Sequence, residues 1–203
     1  ITVDGQKISK SLGNSIDPLD LVNKYGSEVI RYFLLREIPA WGDGDFSERR
    51  LKELYNGELA NGLGNLVARV ARLAADTKLN LPEKKNYTFK KEVSDSLKNF
   101  RFDQAIFSIW EEISKLDKLI NEQKPWELES ADLKRVISPI AVQIRVVSWR
   151  MKSIVSVATG AVALLFGVKP KIRCAVSSTS ISSELCWLRQ ALTHAISPNT
   201  QRR

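Results

Sequence analysis

From Leu51 to Leu73 an apolar residue falls at every third or fourth position: Leu51, Tyr55, Leu59, Leu63, Leu66, Val70 and Leu73. That is the period of an α-helix with one buried stripe, and it cannot serve a half-buried strand. Ser47 precedes the run as a helix cap, and Glu48 suits the positive helix start. Gly57, Gly62 and Gly64 interrupt it. Each lowers helix propensity by up to about 1 kcal/mol, so close packing or a break is expected there. The same period returns in Ile106, Ile109, Trp110, Ile113, Leu116 and Ile120, where Asp103 is the expected cap and Trp110 is read as core. It returns again in Leu133, Val136, Ile140, Ile144 and Val147, with Pro139 expected to kink or shorten that helix. Phe89 to Asn99 forms a further helical stretch, and the connectors around Pro82 and Lys124-Pro125-Trp126 are short. Long amphipathic helices with short joins predict a mainly α fold, an antiparallel helical bundle.

The first 46 residues differ. Ile1-Thr2-Val3 before Asp4-Gly5 predicts a short strand and a tight turn needing positive φ. Asp17 caps a helix with Pro18 at its first position, and Gly26 ends it. Ser27 is expected to cap the next, which Pro39 forbids from continuing. Gly42 to Phe46 is a loop or a very short strand.

Charge narrows the function classes only modestly. Residues 1–152 hold 25 Lys and Arg against 22 Asp and Glu, whereas residues 153–203 hold 6 against 1. The excess of positive charge is a property of the tail, and so is weak evidence for nucleic-acid binding by the main body. Both cysteines, Cys174 and Cys186, lie in that tail at no metal or redox spacing, and a metal site is not expected. Ile154 to Val168 is an apolar run too short for a membrane span, and no membrane attachment is expected. The single histidine, His194, is read as incidental. The chain opens on Ile without a signal peptide, which reads as an interior piece of a longer protein working in a reducing cytoplasm.

Three clusters carry chemistry. Lys7-Ile8-Ser9-Lys10-Ser11-Leu12-Gly13-Asn14 places two flexible point charges among serine donors. It suits a phosphate that changes charge, and equally a solvated turn. Asn61, Asn65 and Arg69 recur at intervals of four, on one helix face. Such a face can read base edges or be the polar outer stripe of a bundle. Trp126, just beyond Pro125, is either a stacking platform or folded onto the core.

Lys7 to Ser11 resembles the K-M-S-K-S loop of class I aminoacyl-tRNA synthetases, with Ile8 for methionine as an apolar residue of similar volume. Thr2 to Gln6 before it and Leu12-Gly13-Asn14 after it look like the methionyl-tRNA synthetase version. Asn61, Asn65 and Arg69 match that family's N-x-x-x-N-x-x-x-R anticodon helix, and Pro125-Trp126 its anticodon-packing tryptophan. Asn121 departs from the pattern, which commonly has an acidic residue there.

The resemblance covers about Ile1 to Lys152. It implies the end of a catalytic domain with its stem-contact region over 1–46 and a helical anticodon-binding domain over 47–152; residues 153–203, which show no sustained period, are read as a divergent, poorly ordered tail. It implies a methionine–tRNA ligase using ATP with Mg2+, methionine and methionine tRNA. Lys10 would be the main catalytic and ATP-binding residue, assisted by Lys7, with Ser9 and Ser11 shaping the loop. Any zinc-binding insertion is expected upstream, with the H-I-G-H element and nucleotide-binding sheet, so the piece alone is expected to be inactive. A non-catalytic tRNA- or protein-binding bundle, and a valyl, isoleucyl, leucyl or cysteinyl synthetase, are the alternatives. The oligomeric state is left open.

Overall fold

The computed structural model describes residues 1–77, 79, 81 and 87–157, excluding the side chains of Lys10 and Val157. Cys174, Cys186, His194 and most of the apolar run from Ile154 to Val168 lie outside the described residues.

The chain opens on a hairpin. Strands β1 (Thr2–Val3) and β2 (Gln6–Lys7) are antiparallel, in register Thr2 to Lys7 and Val3 to Gln6. Asp4 and Gly5 turn between them at φ 48° and 76°, the doubly positive pair that a two-residue hairpin turn requires. Strand β3 (Asp45–Phe46) lies parallel to β1 on its other side. Thr2 N donates to Gly44 O at 2.9 Å and Asp4 N to Phe46 O at 3.0 Å. Gly44 is needed where the chain comes in, because a Cβ there would stand 2.6 Å from Ile38.

Helix α1 (Pro18–Tyr25) begins as expected, with Asp17 Oδ1 accepting from Leu19 N at 2.8 Å and proline in the first turn. Gly26, at φ 86°, ends it and is also the cap of α2 (Ser27–Glu37). Ser27 is therefore the first residue of α2 rather than its cap. Leu19 is 67% exposed, while α2 buries Val29, Ile30, Tyr32, Phe33 and Leu35.

The long periodic stretch is one helical run of three parts. It passes from α3 (Glu48–Leu54) through a π-helical segment (Tyr55–Gly64) into α4 (Asn65–Asp76). Ser47 precedes it without a side-chain capping bond. The glycines mark a change of winding, not a break. Gly62 is the reason on the packing side, since a Cβ there would lie 3.1 Å from the Trp110 ring.

Helices α5 (Lys91–Lys98), α6 (Phe102–Gln123) and α7 (Ser130–Val157) complete the described chain. Helix α6 packs on α2, α5 and α7, and α7 also packs on α4. The cap of α6 is Arg101, and Asp103 sits in the first turn, where its carboxylate suits the positive helix end. Pro139 lies on the exposed face of α7 and does not end it. The carbonyl it leaves unpaired, that of Arg135, is at an exposed residue open to water. The helix continues past the expected boundary at 153, because Ile154 and Val155 are buried.

One core joins these elements, from Val3 in the sheet to Val155 in α7. Among its fully buried side chains are Phe33, Leu51, Leu59, Ile106, Ile109, Ile137 and Met151. The fold is mainly α, as the periodicity predicts. No helix among the described residues is long and apolar enough to cross a membrane.

Candidate nucleic-acid interface and lysine loop

The π-helical segment and α4 face α6 across an open groove of about 930 Å³. Asn61, Asn65 and Arg69 line one wall, and Ser114, Asp117 and Asn121 line the other. The sequence spacing put the first three on one face, and the structure gathers them at a single concave surface. Arg69 donates Nη1–H to Asn121 Oδ1 at 3.1 Å, and its Nη2 pairs with the Asp117 carboxylate. Asn121 Nδ2 returns to Asp117 Oδ2 at 3.3 Å. The groove therefore holds one guanidinium in a fixed plane between a carboxylate and an amide.

Asp117, one helical turn before Asn121 on α6, faces Arg69 with a carboxylate. Sequence reasoning missed Asp117. Its position four before Asn121 on α6 was the available signal.

Trp110 packs against the core, as its spacing predicts. It is partly buried, but it also lines the groove beside Asn61, Gly62 and Asn65. Its indole Nε1–H donates to Tyr32 Oη at 2.6 Å, and the Tyr32 hydroxyl donates to Glu58. Arg36 Nη2 meets the other Glu58 oxygen at 3.2 Å. Burial first, and the Glu58 charge second, push the Tyr32 hydroxyl well above its ordinary pKa, so it remains a donor.

Trp126 is placed by the end of α6. Lys124 adopts a left-handed conformation, at φ 42° and ψ 56°, and its N–H closes on Ile120 O at 3.0 Å. Pro125 is buried and starts a single 3-10 turn, which leaves Trp126 53% exposed. The tryptophan is thus presented to solvent rather than folded onto the core. It is not among the residues lining the groove.

In the lysine loop Lys7 closes β2, and Lys10 to Leu12 make a 3-10 turn ahead of Gly13 at φ 66°. Asn14 ties the segment shut: its Oδ1 accepts from Ser9 N at 2.8 Å and its Nδ2 donates to Lys7 O at 3.0 Å. Ser9 Oγ and Ser11 Oγ lie 2.7 Å apart. Ile8 is 43% exposed and Leu12 66%, so Ile8 is not buried within the described residues. The Lys10 side chain lies outside what is described. Ahead of the loop, Asp45 ties the hairpin, accepting from Thr2 Oγ1 at 2.6 Å and Gly5 N at 2.8 Å, and these bonds hold its carboxyl below the ordinary range.

Comparison with known proteins follows the same division. The family profile described as tRNA synthetases class I (M) matches residues 1–71, which takes in the lysine loop and all of Asn61, Asn65 and Arg69. Methionine–tRNA ligase of Thermotoga maritima is 39% identical over 63% of this chain, and that of Synechocystis sp. is 34% identical over 76%. The fold agrees. A crystal structure of Mycobacterium tuberculosis methionyl-tRNA synthetase bound by methionyl-adenylate superposes with a TM-score of 0.65 at 25% identity, covering 83% of this chain and 37% of that one.

This chain is a relative of the methionyl-tRNA synthetases.

It spans 22% and 32% of the length of the Thermotoga and Synechocystis methionine–tRNA ligases. Among the described residues no group of three or more His, Cys, Asp or Glu could hold a metal ion.

Proposed function

We propose that this chain is a working part of a methionine–tRNA ligase: it supplies the lysine loop to the active site and recognises the anticodon of methionine tRNA. The observation that carries the reading is the convergence of Asn61, Asn65 and Arg69 on one groove, within the same family match as the lysine loop. Residues 1–46 would form the edge of the catalytic domain with its stem-contact region, and residues 47–152 the anticodon-binding part.

The chemistry has two steps. A carboxylate oxygen of methionine attacks the α-phosphorus of ATP, supplied as its magnesium complex. The bond from that phosphorus to the bridging oxygen breaks, and pyrophosphate leaves with the electron pair. A hydroxyl of the terminal adenosine of the tRNA then attacks the acyl carbon and releases AMP. Negative charge grows on the departing pyrophosphate in the first step, and cations that tighten on it there lower the barrier. Lys10 takes this role, with Lys7 beside it. Ser9 and Ser11 shape the loop, and Asn14 holds its ends together.

At the other end, the amides of Asn61 and Asn65 and the guanidinium of Arg69 present donors and acceptors to unpaired base edges, and Trp126 offers a stacking surface. The compartment is that of protein synthesis, the cytoplasm. The test is titration of a fluorescently labelled CAU anticodon hairpin with the chain and with Asn65→Ala and Trp126→Ala. Each substitution is expected to weaken binding at least fivefold. Unchanged affinity in both variants would remove the groove and the tryptophan from recognition.

A further inference from the structure

We infer that Trp110 and Gly62 form the floor on which one unpaired nucleobase rests in the groove, and that Tyr32 is the positioning residue that sets this floor. The inference rests on the anticodon-recognition reading and assigns to it residues that the lysine loop, the Asn/Arg helix and Trp126 leave out.

The first observation is steric. A Cβ on Gly62 would stand 3.1 Å from Trp110 Cζ3, 3.2 Å from Cη2 and 3.3 Å from Gly57 O. The Cζ3–Cη2 edge of the six-membered ring thus comes close to the helix at Gly62, between Asn61 and Asn65 in sequence. The second is orientation. Trp110 Nε1–H is committed to Tyr32 Oη at 2.6 Å, and Tyr32, 2% exposed, is itself committed to Glu58. The Glu58 carboxylate is held in turn by Arg36 at 3.2 Å. Each hydroxyl and indole proton has one direction available, so the ring cannot turn without leaving a buried polar group unpaired.

The third observation is the distribution of polarity. The lining is apolar at Trp110, Ile113 and Ala68, and polar at the asparagine, arginine and aspartate walls. Its charges are Arg69 and Lys118 against Asp117 and Glu122. A phosphate would meet two carboxylates there. A neutral ring, apolar on its faces and polar on its edges, fits both the floor and the walls.

The experiment uses the chain with a CAU hairpin and three further hairpins, each abasic at one anticodon position. Gly62→Ala pushes on the ring, and Tyr32→Phe releases it while keeping the phenyl group. Gly62→Ala is expected to weaken the CAU hairpin about tenfold or more, the scale of one lost base contact. With one of the three abasic hairpins the two proteins are expected to bind alike, because the base that used the floor is already absent. Tyr32→Phe is expected to show the same coupling at the same position, with a smaller loss. Equal losses on all three abasic hairpins would mean a merely structural role and overturn the inference. So would unchanged binding of the CAU hairpin. Should Gly62→Ala fail to fold, Trp110→Leu is expected to show the same single-position coupling, and its absence overturns the inference. If the unaltered chain binds no CAU hairpin, the anticodon reading itself falls, and the floor falls with it.

Discussion

Arg69 on α4 reaches across the groove to Asp117 on α6, and the same guanidinium donates to Asn121 at 3.1 Å. The two side chains of that ion pair are 41% and 45% exposed. Water screens such a pair, and its worth to the fold is about 0–1 kcal/mol. Under the proposed anticodon reading its consequence is in binding, where it would hold a planar donor at a fixed place. Arg69→Ala is therefore expected to change unfolding free energy by less than about 1 kcal/mol. Affinity for the CAU hairpin should fall at least fivefold, and Arg69→Lys should recover little of it. Denaturant unfolding and hairpin titration on the same samples check both parts.

The Tyr32 chain behaves in the opposite way. Tyr32 is 2% exposed, and its hydroxyl serves both Trp110 and Glu58. Tyr32→Phe leaves an indole N–H and a carboxylate oxygen without that partner, at a cost of about 1–3 kcal/mol. Urea unfolding is expected to show the midpoint lowered with an unchanged slope. A midpoint equal to the unaltered chain would show that water replaces the hydroxyl.

Acid should loosen the contact between α1 and α3. Lys24, then Tyr25, hydrogen-bond Glu48 at 2.7 and 2.5 Å and hold its carboxyl down to about 2, from an ordinary 4.5. The folded value lies below the unfolded one. The stabilisation is therefore complete above about pH 4.5 and is lost as pH falls from there toward 2. Glu48 is 40% exposed, so screening keeps the effect under about 1 kcal/mol. Glu48→Gln is expected to flatten that limb of the stability–pH curve by lowering its neutral plateau by the same amount, under about 1 kcal/mol. Asp45, also depressed, should keep a residual slope of the same sign.

Asn14 bridges Lys7 O and Ser9 N with one side chain. Asn14→Ala is expected to raise amide exchange at Ser9 tenfold or more and to lower the thermal midpoint by only a few degrees, since each of its two bonds contributes about 1 kcal/mol and each kcal/mol shifts a chain of this size by about 2–4 °C. Equal exchange in the two proteins would mean that the loop keeps its shape without the amide.

Much of the fold was legible because it rests on local rules. The stripe from Leu51 to Val70 is buried, Asp4-Gly5 makes the hairpin turn, and Asp17 with Pro18 starts α1. What escaped depends on contacts distant in sequence. Trp110 lies against Gly62 within the π-helical segment, and its indole N–H is held by Tyr32, 78 residues away. Period placed Trp110 against the core, but helical spacing could not show that it also lines the groove. The extent of α7 was missed for a related reason. Ile154 and Val155 belong to an apolar run that reads as a change of character, yet both pack onto the core. Of the site, Asn61, Asn65 and Arg69 were legible from spacing, whereas Asp117 gained meaning only once α4 and α6 were seen to face each other.

The central claim is that the groove between α4 and α6, with Trp126, recognises the anticodon of methionine tRNA. Its most direct measurement is a competition titration of the chain against two hairpins with identical stems, one with a CAU loop and one with the same three bases permuted to UAC. The account predicts saturable binding of the CAU hairpin with at least tenfold preference, the scale of one base edge discriminated by paired hydrogen bonds. Equal affinity for the two hairpins, or binding of neither, would contradict it.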